Sequence, residues 1–233
     1  MPSLNALNSY KDIDYTLKRS ARKTTSIYIE RDGSVSVLAP EPFDQEKIEQ
    51  IIEKKRSWIY RNLAEWEDLN RTHIQRQYVN GESFLYLGRN YRLQLVEDKE
   101  NPLIFRNGQF FLSRNAVPDA PELFKQFYKT KLLKKLEDRL SLYASKMSQQ
   151  PAGIRVMELK NRWGSCSSQG SLNFHWKCAM LPLSVLDYVI VHELAHIQHQ
   201  NHSPAFWRVV EKVMPGYEEQ KNWLKFNGAS MSL

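Results

Sequence analysis

The stretch that most constrains the fold of this chain is residues 191–196, Val-His-Glu-Leu-Ala-His. An α-helix advances about 100° per residue, so His192 and His196 stand one turn apart on one helix face, where their ring nitrogens can bind one ion. Glu193 lies beside that face, placed to act on a metal-bound water rather than to bind the metal itself. The H-E-x-x-H spacing therefore predicts a metal-binding helix.

The flanking sequence predicts that this helix is largely buried. Apolar residues recur through it at helical spacing: Leu183, Leu186, Ile190, Leu194 and Ile197. We expect a helix over roughly residues 183–200, with Ser184 and Asp187 forming a capping box at its start. Imidazoles and a carboxylate on a buried helix are costly without partners, and a divalent cation is a common partner for them. Burial thus favours a metal site over an accidental motif.

A catalytic zinc ion needs a third protein ligand and an open position for water. His202 is the first candidate, because it follows His196 by six residues, a spacing at which a chain leaving a helix can turn back toward the metal. Ser203 and Pro204 then predict the N-cap and the first residue of a new helix. Other candidates for the third ligand remain open at this point: His199, Glu211, Glu218 and Glu219.

Composition limits the class of protein. The chain has 233 residues, of which 42% are hydrophobic, and this suffices for a sizeable core. It contains no apolar run of about eighteen residues and no pattern of a secretory signal, so we expect a cytoplasmic protein without a membrane partner. Cys166 and Cys178 are too few for a disulfide framework and should be reduced. The net charge of +7 makes nucleic acid a candidate partner, and no pattern indicates an oligomeric state.

The order of patterns along the chain predicts an α+β protein. Alternating apolar residues and turn signals indicate β-hairpins and a helix within residues 1–118. Apolar residues spaced four apart predict a long helix over about residues 122–147. Two antiparallel strands, ending near residues 167 and 176, then precede the metal-binding helix. We therefore expect an amino-terminal region of hairpins and a helix, residues 1–118, and a metal-binding core, residues 119–233, or one continuous domain.

Four stretches in the second half of the chain form a specific combination. They are residues 162–166 (Arg-Trp-Gly-Ser-Cys), 172–173 (Leu-Asn), 187–196 (Asp-Tyr-Val-Ile-Val-His-Glu-Leu-Ala-His) and 201–207 (Asn-His-Ser-Pro-Ala-Phe-Trp). Together they resemble the YgjP-like metallopeptidase family, whose distant relatives are the SprT-like zincins. A looser similarity extends through the amino-terminal half, at residues 37–40, 58–59 and 86–88.

The resemblance implies a zincin-like core in which the H-E-x-x-H helix packs under a small antiparallel sheet. It implies that His192, His196 and His202 bind Zn²⁺, and that Glu193 activates a zinc-bound water to hydrolyse a peptide or protein. In zincins an edge strand beside the metal pairs with an extended substrate. This gives four candidate substrate-binding residues: Trp163, Gly164, Ser165 and Asn173.

Other functions are compatible with the same residues. A metal and a base can also hydrolyse a non-peptide substrate such as a nucleotide phosphoanhydride. The basic charge is compatible with a nucleic-acid-associated protease or binding module. A purely structural metal is a further alternative, but a structural site has no need of Glu193 between its ligands. The sequence does not choose the substrate.

Overall fold

The computed structural model describes residues 6–21, 24–29, 33–70, 76–98, 100–159, 162–228, 231 and 233. These residues contain five α-helices and three small sheets, so the predicted α+β class is confirmed. The chain divides into two compact units, Met1–His73 and Ile74–Leu233. The boundary predicted between residues 118 and 119 falls inside the second unit and stays a prediction. None of the described helices combines the length and the apolar character that a membrane crossing requires.

The first unit is a four-stranded sheet followed by one long helix. Its elements are β1 (Ala6–Tyr10), β2 (Ile13–Ser20), β3 (Ser26–Ile29), β4 (Val35–Pro40) and α1 (Gln45–Asn70). The strand order is β1-β2-β4-β3, with β2 and β4 parallel and the outer pairs antiparallel. Asp44 caps α1, because its Oδ1 accepts the backbone N–H of Lys47 at 2.9 Å. The strands and one face of α1 enclose an apolar core: Ile13, Tyr15, Val35, Val37, Ala39, Ile48, Ile52 and Ile59.

The second unit begins with the same arrangement of elements. Its strands and helix are β5 (Ser83–Tyr86), β6 (Arg89–Val96), β7 (Leu103–Arg106), β8 (Gln109–Ser113) and α2 (Ala120–Met147). The order is β5-β6-β8-β7, and again the central pair is parallel and the outer pairs are antiparallel. Asn107 and Gly108, both with positive φ, form the two-residue turn that the sequence predicts between β7 and β8. A short 3₁₀ helix, Arg114–Asp119, leads into α2.

The rest of the second unit is a three-stranded sheet and three helices. These elements are β9 (Gly153–Met157), β10 (Gly164–Cys166), β11 (Ser171–His175), α3 (Leu183–Gln198), α4 (Pro204–Val213) and α5 (Glu218–Asn227). β10 and β11 form the predicted antiparallel hairpin, but β9 pairs parallel with the other side of β11. The prediction of a purely antiparallel sheet is therefore wrong, because β9 is parallel to β11. The sheet is mixed, because β10 occupies one side of β11 through the hairpin and leaves only the other side for β9.

The turn between β5 and β6 fastens the segment from which α3 begins. The backbone N–H of Leu87 donates to the carbonyl of Ala179 at 2.8 Å, and that of Gly88 donates to Met180 at 3.0 Å. A Cβ at Gly88 would lie 2.8 Å from Cα of Pro182, so glycine permits this close approach. Since Pro182 is the N-cap residue of α3, these contacts fasten the start of that helix to the turn between β5 and β6.

Helix α3 is held by an ion pair rather than by the expected capping box. No side-chain cap hydrogen bond forms at the described N-terminus of α3, so the interpretation of Ser184 and Asp187 as a capping pair is wrong. Asp187 is 6% exposed and accepts two hydrogen bonds from Arg139 of α2, one of them Nε to Oδ1 at 2.7 Å. The carboxylate therefore joins α3 to α2, because the guanidinium is a stronger partner than a helix N–H.

Candidate metal centre

Three imidazoles converge at the carboxyl-terminal end of α3. His192 and His196 lie on α3, and His202 lies between α3 and α4. Nε2 of His192 and Nε2 of His202 are 3.0 Å apart, and one ring nitrogen from each of the three residues lies within 4.8 Å of the others. A tetrahedral zinc ion with Zn–N bonds of about 2.0–2.1 Å would hold its nitrogens about 3.3 Å apart. The three rings therefore fit a shared ion.

His202 is held by the short bend between two helices. α3 ends at Gln198 and α4 begins at Pro204, with Ser203 at the N-cap position as the sequence predicts. Phe206 is fully buried in the first turn of α4, and its ring centroid lies 4.8 Å from that of His202. The anchored first turn of α4 thus sets where the chain turns back toward α3.

The other candidates for the third ligand, His199, Glu211, Glu218 and Glu219, lie outside this cluster of described side chains. His199 instead contributes its backbone carbonyl, which lies 3.0 Å from Nδ1 of His196. With the proton on Nδ1, this contact leaves Nε2 of His196 free for a metal, an arrangement common among metal-ligating histidines. The motif spacing gives no sign of this contact, because it involves a backbone group beyond the helix.

The surroundings of His192 and His202 favour neutral imidazoles, which are the form that binds metal. Burial lowers the pKa of His192 to about 3, with smaller contributions from the charges of His196, His202 and Lys221. Burial also lowers the pKa of His202. Nζ of Lys221 lies 4.1 Å from the ring centroid of Trp207, which stacks on His202 at 5.7 Å. At neutral pH the rings of His192 and His202 are therefore in the form that binds a metal.

Glu193 places a carboxyl in the interior of the second unit. Its side chain is 5% exposed, and Oε2 has no hydrogen-bond partner among the residues that the structure describes. Burial raises the pKa of Glu193 to about 8, against a smaller opposing effect of Arg162. Nδ1 of His192 is likewise buried and unpartnered within the described part of the chain. An unpartnered carboxyl oxygen on the helix that carries His192 and His196 fits a site that is completed by a metal and solvent.

A family model for the YgjP-like metallopeptidase domain matches residues 23–227. The chain belongs to the YgjP-like metallopeptidase family. The resemblance drawn from the sequence motifs is thereby confirmed. The crystal structure of the metallopeptidase zymogen of Pyrococcus abyssi abylysin is similar over 38% of this chain and 90% of that chain, with 29% identity and a TM-score of 0.36. No curated protein sequence matches the chain.

Membership in this metallopeptidase family has direct chemical consequences. A metallopeptidase uses a metal to hydrolyse peptide bonds, so the family implies a metal and a protein or peptide substrate. In this YgjP-like chain the three-histidine cluster supplies a set of donors for such a metal. The family match extends over most of the first compact unit and nearly all of the second.

The four residues predicted to bind substrate lie on or beside the hairpin of β10 and β11. Gly164 lies against the side chain of Glu193. Ser165 and Asn173 are paired across the hairpin, where Nδ2 of Asn173 donates to Oγ of Ser165 at 3.3 Å. The backbone carbonyl of Trp163 accepts the N–H of His175 at 2.8 Å. These contacts give the residues structural roles, and their binding of substrate stays a prediction.

Proposed function

We propose that this protein is a zinc-dependent metallopeptidase with a zincin-like site, in which His192, His196 and His202 bind the metal and Glu193 is the catalytic base. The observation that carries the proposal is the convergence of three imidazoles, two of them on α3, together with the buried carboxyl of Glu193 on the same helix. Three neutral nitrogen donors suit zinc, and a set of three protein ligands is typical of catalytic rather than structural zinc.

In the proposed peptide hydrolysis, the zinc ion and the side chain of Glu193 have separate roles. When bound, zinc would act as a Lewis acid and lower the pKa of a ligated water toward neutrality. Glu193 would accept the proton of the attacking water and deliver it to the leaving amine. The pKa of this carboxyl, about 8 without a metal, falls when a cation lies nearby, so the basic form is available at neutral pH.

The substrate is proposed to lie along β10. This strand is at the edge of its sheet, and an extended peptide can add to such an edge through backbone hydrogen bonds. The proposed contacts come from four residues of the hairpin and its approach: Trp163, Gly164, Ser165 and Asn173. The hydrogen bond between Asn173 and Ser165 would hold the strand in shape while it receives the peptide.

The test compares the zinc-loaded wild type with Glu193→Gln on an unfolded protein and on a peptide library. Glu193→Gln should keep one zinc per chain and lose activity by about 10²–10⁴-fold, the usual contribution of a general base. Glu211→Gln is the matched control, because it removes an exposed carboxylate outside the cluster. Activity that survives in Glu193→Gln would contradict the proposed role, and hydrolysis of nucleotides alone would contradict the peptidase assignment.

A further inference from the structure

Helix α3 and strand β10 are in close contact at a residue without a side chain. A Cβ at Gly164 would lie 2.6 Å from both Cγ and Oε1 of Glu193, and 2.7 Å from its Cδ. Real Cβ atoms essentially never come within 3.0 Å of a heavy atom outside their own residue and its two chain neighbours. Any other residue at position 164 would therefore overlap the side chain of Glu193.

The backbone itself does not call for glycine here. Gly164 is absent from the glycines with positive φ in the described chain, so an L-residue could adopt its conformation. Its partner across the hairpin is Phe174, which is fully buried. The reason for glycine at this position is the space that Glu193 occupies.

The overlap would be relieved by movement of Glu193 rather than of the backbone. Leu194 and Ala195, the next residues of α3, are fully buried, and the other side of β10 is paired with β11. Packed interiors have low compressibility, so we expect the helix and the strand to keep their positions. The carboxyl of Glu193, from Cγ outward, would have to leave its place against β10.

We propose that Gly164 is a positioning residue for the catalytic base: it leaves the space in which the carboxyl of Glu193 lies between α3 and β10. This inference rests on the proposed function, since it gives Glu193 the role of base. Gly164 would then have two roles: contact with the substrate, as the sequence predicts, and placement of the Glu193 side chain on α3. The strand proposed to receive the peptide would thus also set the position of the base.

The test is Gly164→Ala in the full chain. The variant should keep one zinc per chain, with an affinity within about threefold of the wild type. Its kcat should fall about 10²-fold or more while KM changes little, because a displaced base loses proton transfer and not substrate binding. Gly153→Ala is the matched control, since Gly153 lies in β9 of the same sheet and a Cβ there would have no atom within 4 Å. It should behave as the wild type.

A second readout does not depend on activity. Glu193→Ala removes the atoms that Gly164→Ala would overlap, so the effect of Gly164→Ala on thermal unfolding should differ between the two backgrounds. In the metal-free chain, Gly164→Ala should lower Tm by several degrees when Glu193 is present, and should leave Tm unchanged or raise it in Glu193→Ala. The midpoints are measured by circular dichroism for all four proteins.

The outcomes separate this inference from the proposed function. An equal fall of Tm in both backgrounds would overturn the inference, because the overlap would then not be with Glu193. If Gly164→Ala kept the kcat of the wild type, or lost its zinc, the positioning role would be overturned. The proposed peptidase function would still stand, provided that the wild type is active. A wild type without peptidase activity would overturn the proposed function and the positioning role together, and only the steric contact would remain.

Discussion

Two histidines just beyond α3 have different surroundings and should respond differently to substitution. Nε2 of His202 lies 3.0 Å from Nε2 of His192, whereas His199 offers only its backbone carbonyl to His196. His202→Ala should therefore lose stoichiometric zinc, and His199→Ala should keep it because the carbonyl remains. Elemental analysis of both variants after dialysis measures the difference. Equal retention, or loss confined to His199→Ala, would contradict the ligand set.

The carboxyl of Glu193 also makes a prediction about stability and pH. In the folded, metal-free chain its pKa is about 8, against an ordinary value of 4.5. Between these values the folded state binds more protons than the unfolded state, so stability falls as pH rises, by up to about 1.4 kcal/mol per pH unit. Glu193→Gln should remove this fall of stability with rising pH.

Urea unfolding of the metal-free proteins between pH 5 and pH 8 measures the effect as a difference between wild type and Glu193→Gln. His192 acts in the opposite direction, because its lowered pKa reduces stability as pH falls below its ordinary value of 6.5. That contribution is present in both proteins and cancels in the comparison. Parallel pH profiles would show that Glu193 is ionised normally in the folded chain.

Among the elements, α2 and α3 are joined by a partly buried charge pair, Arg139 and Asp187, which is not part of the histidine cluster. Asp187→Asn keeps the shape of the side chain but leaves Arg139 without its carboxylate, and should cost about 2 kcal/mol of unfolding free energy. Glu158→Gln, which breaks an exposed pair with Lys125, should cost less than about 1 kcal/mol. Chemical unfolding compares the two. Zinc content should be unchanged in both, and equal costs would contradict the structural role of Asp187.

Elements with local signals could be predicted from the sequence, and long-range pairings could not. The turn at Asn107 and Gly108 and the extent of α3 follow from spacing within a few residues. The place of β9 beside β11 depends on a crossing connection that leaves no local pattern. Asp187 resembled a capping residue because its partner, Arg139, is distant in sequence.

The same distinction applies within the candidate site. The spacing of His192 and His196 places both on one face of α3, and a six-residue step brings His202 back to them. The contact of Glu193 with Gly164 arises only when β10 packs against α3, so the sequence shows both residues without showing that they touch.

For the whole molecule, the two compact units should respond differently to zinc. Each unit has its own apolar core, and all three imidazoles belong to the second. A ligand at about 100 times its Kd adds about 2.7 kcal/mol to the free energy of any local unfolding that destroys its binding site. Hydrogen exchange followed by mass spectrometry should therefore show stronger amide protection in α3 with zinc and little change in α1. Similar gains in α1 would contradict this division.

The proposed hydrolysis depends on three imidazoles that share one ion and leave a coordination position for solvent. X-ray absorption at the zinc edge of the zinc-loaded protein measures this environment directly. We expect three imidazole nitrogens and one oxygen at about 2.0 Å from the metal, and the same environment in Glu193→Gln. A sulfur at about 2.3 Å, or a fourth imidazole, would contradict the account, because the metal would then be closed to water.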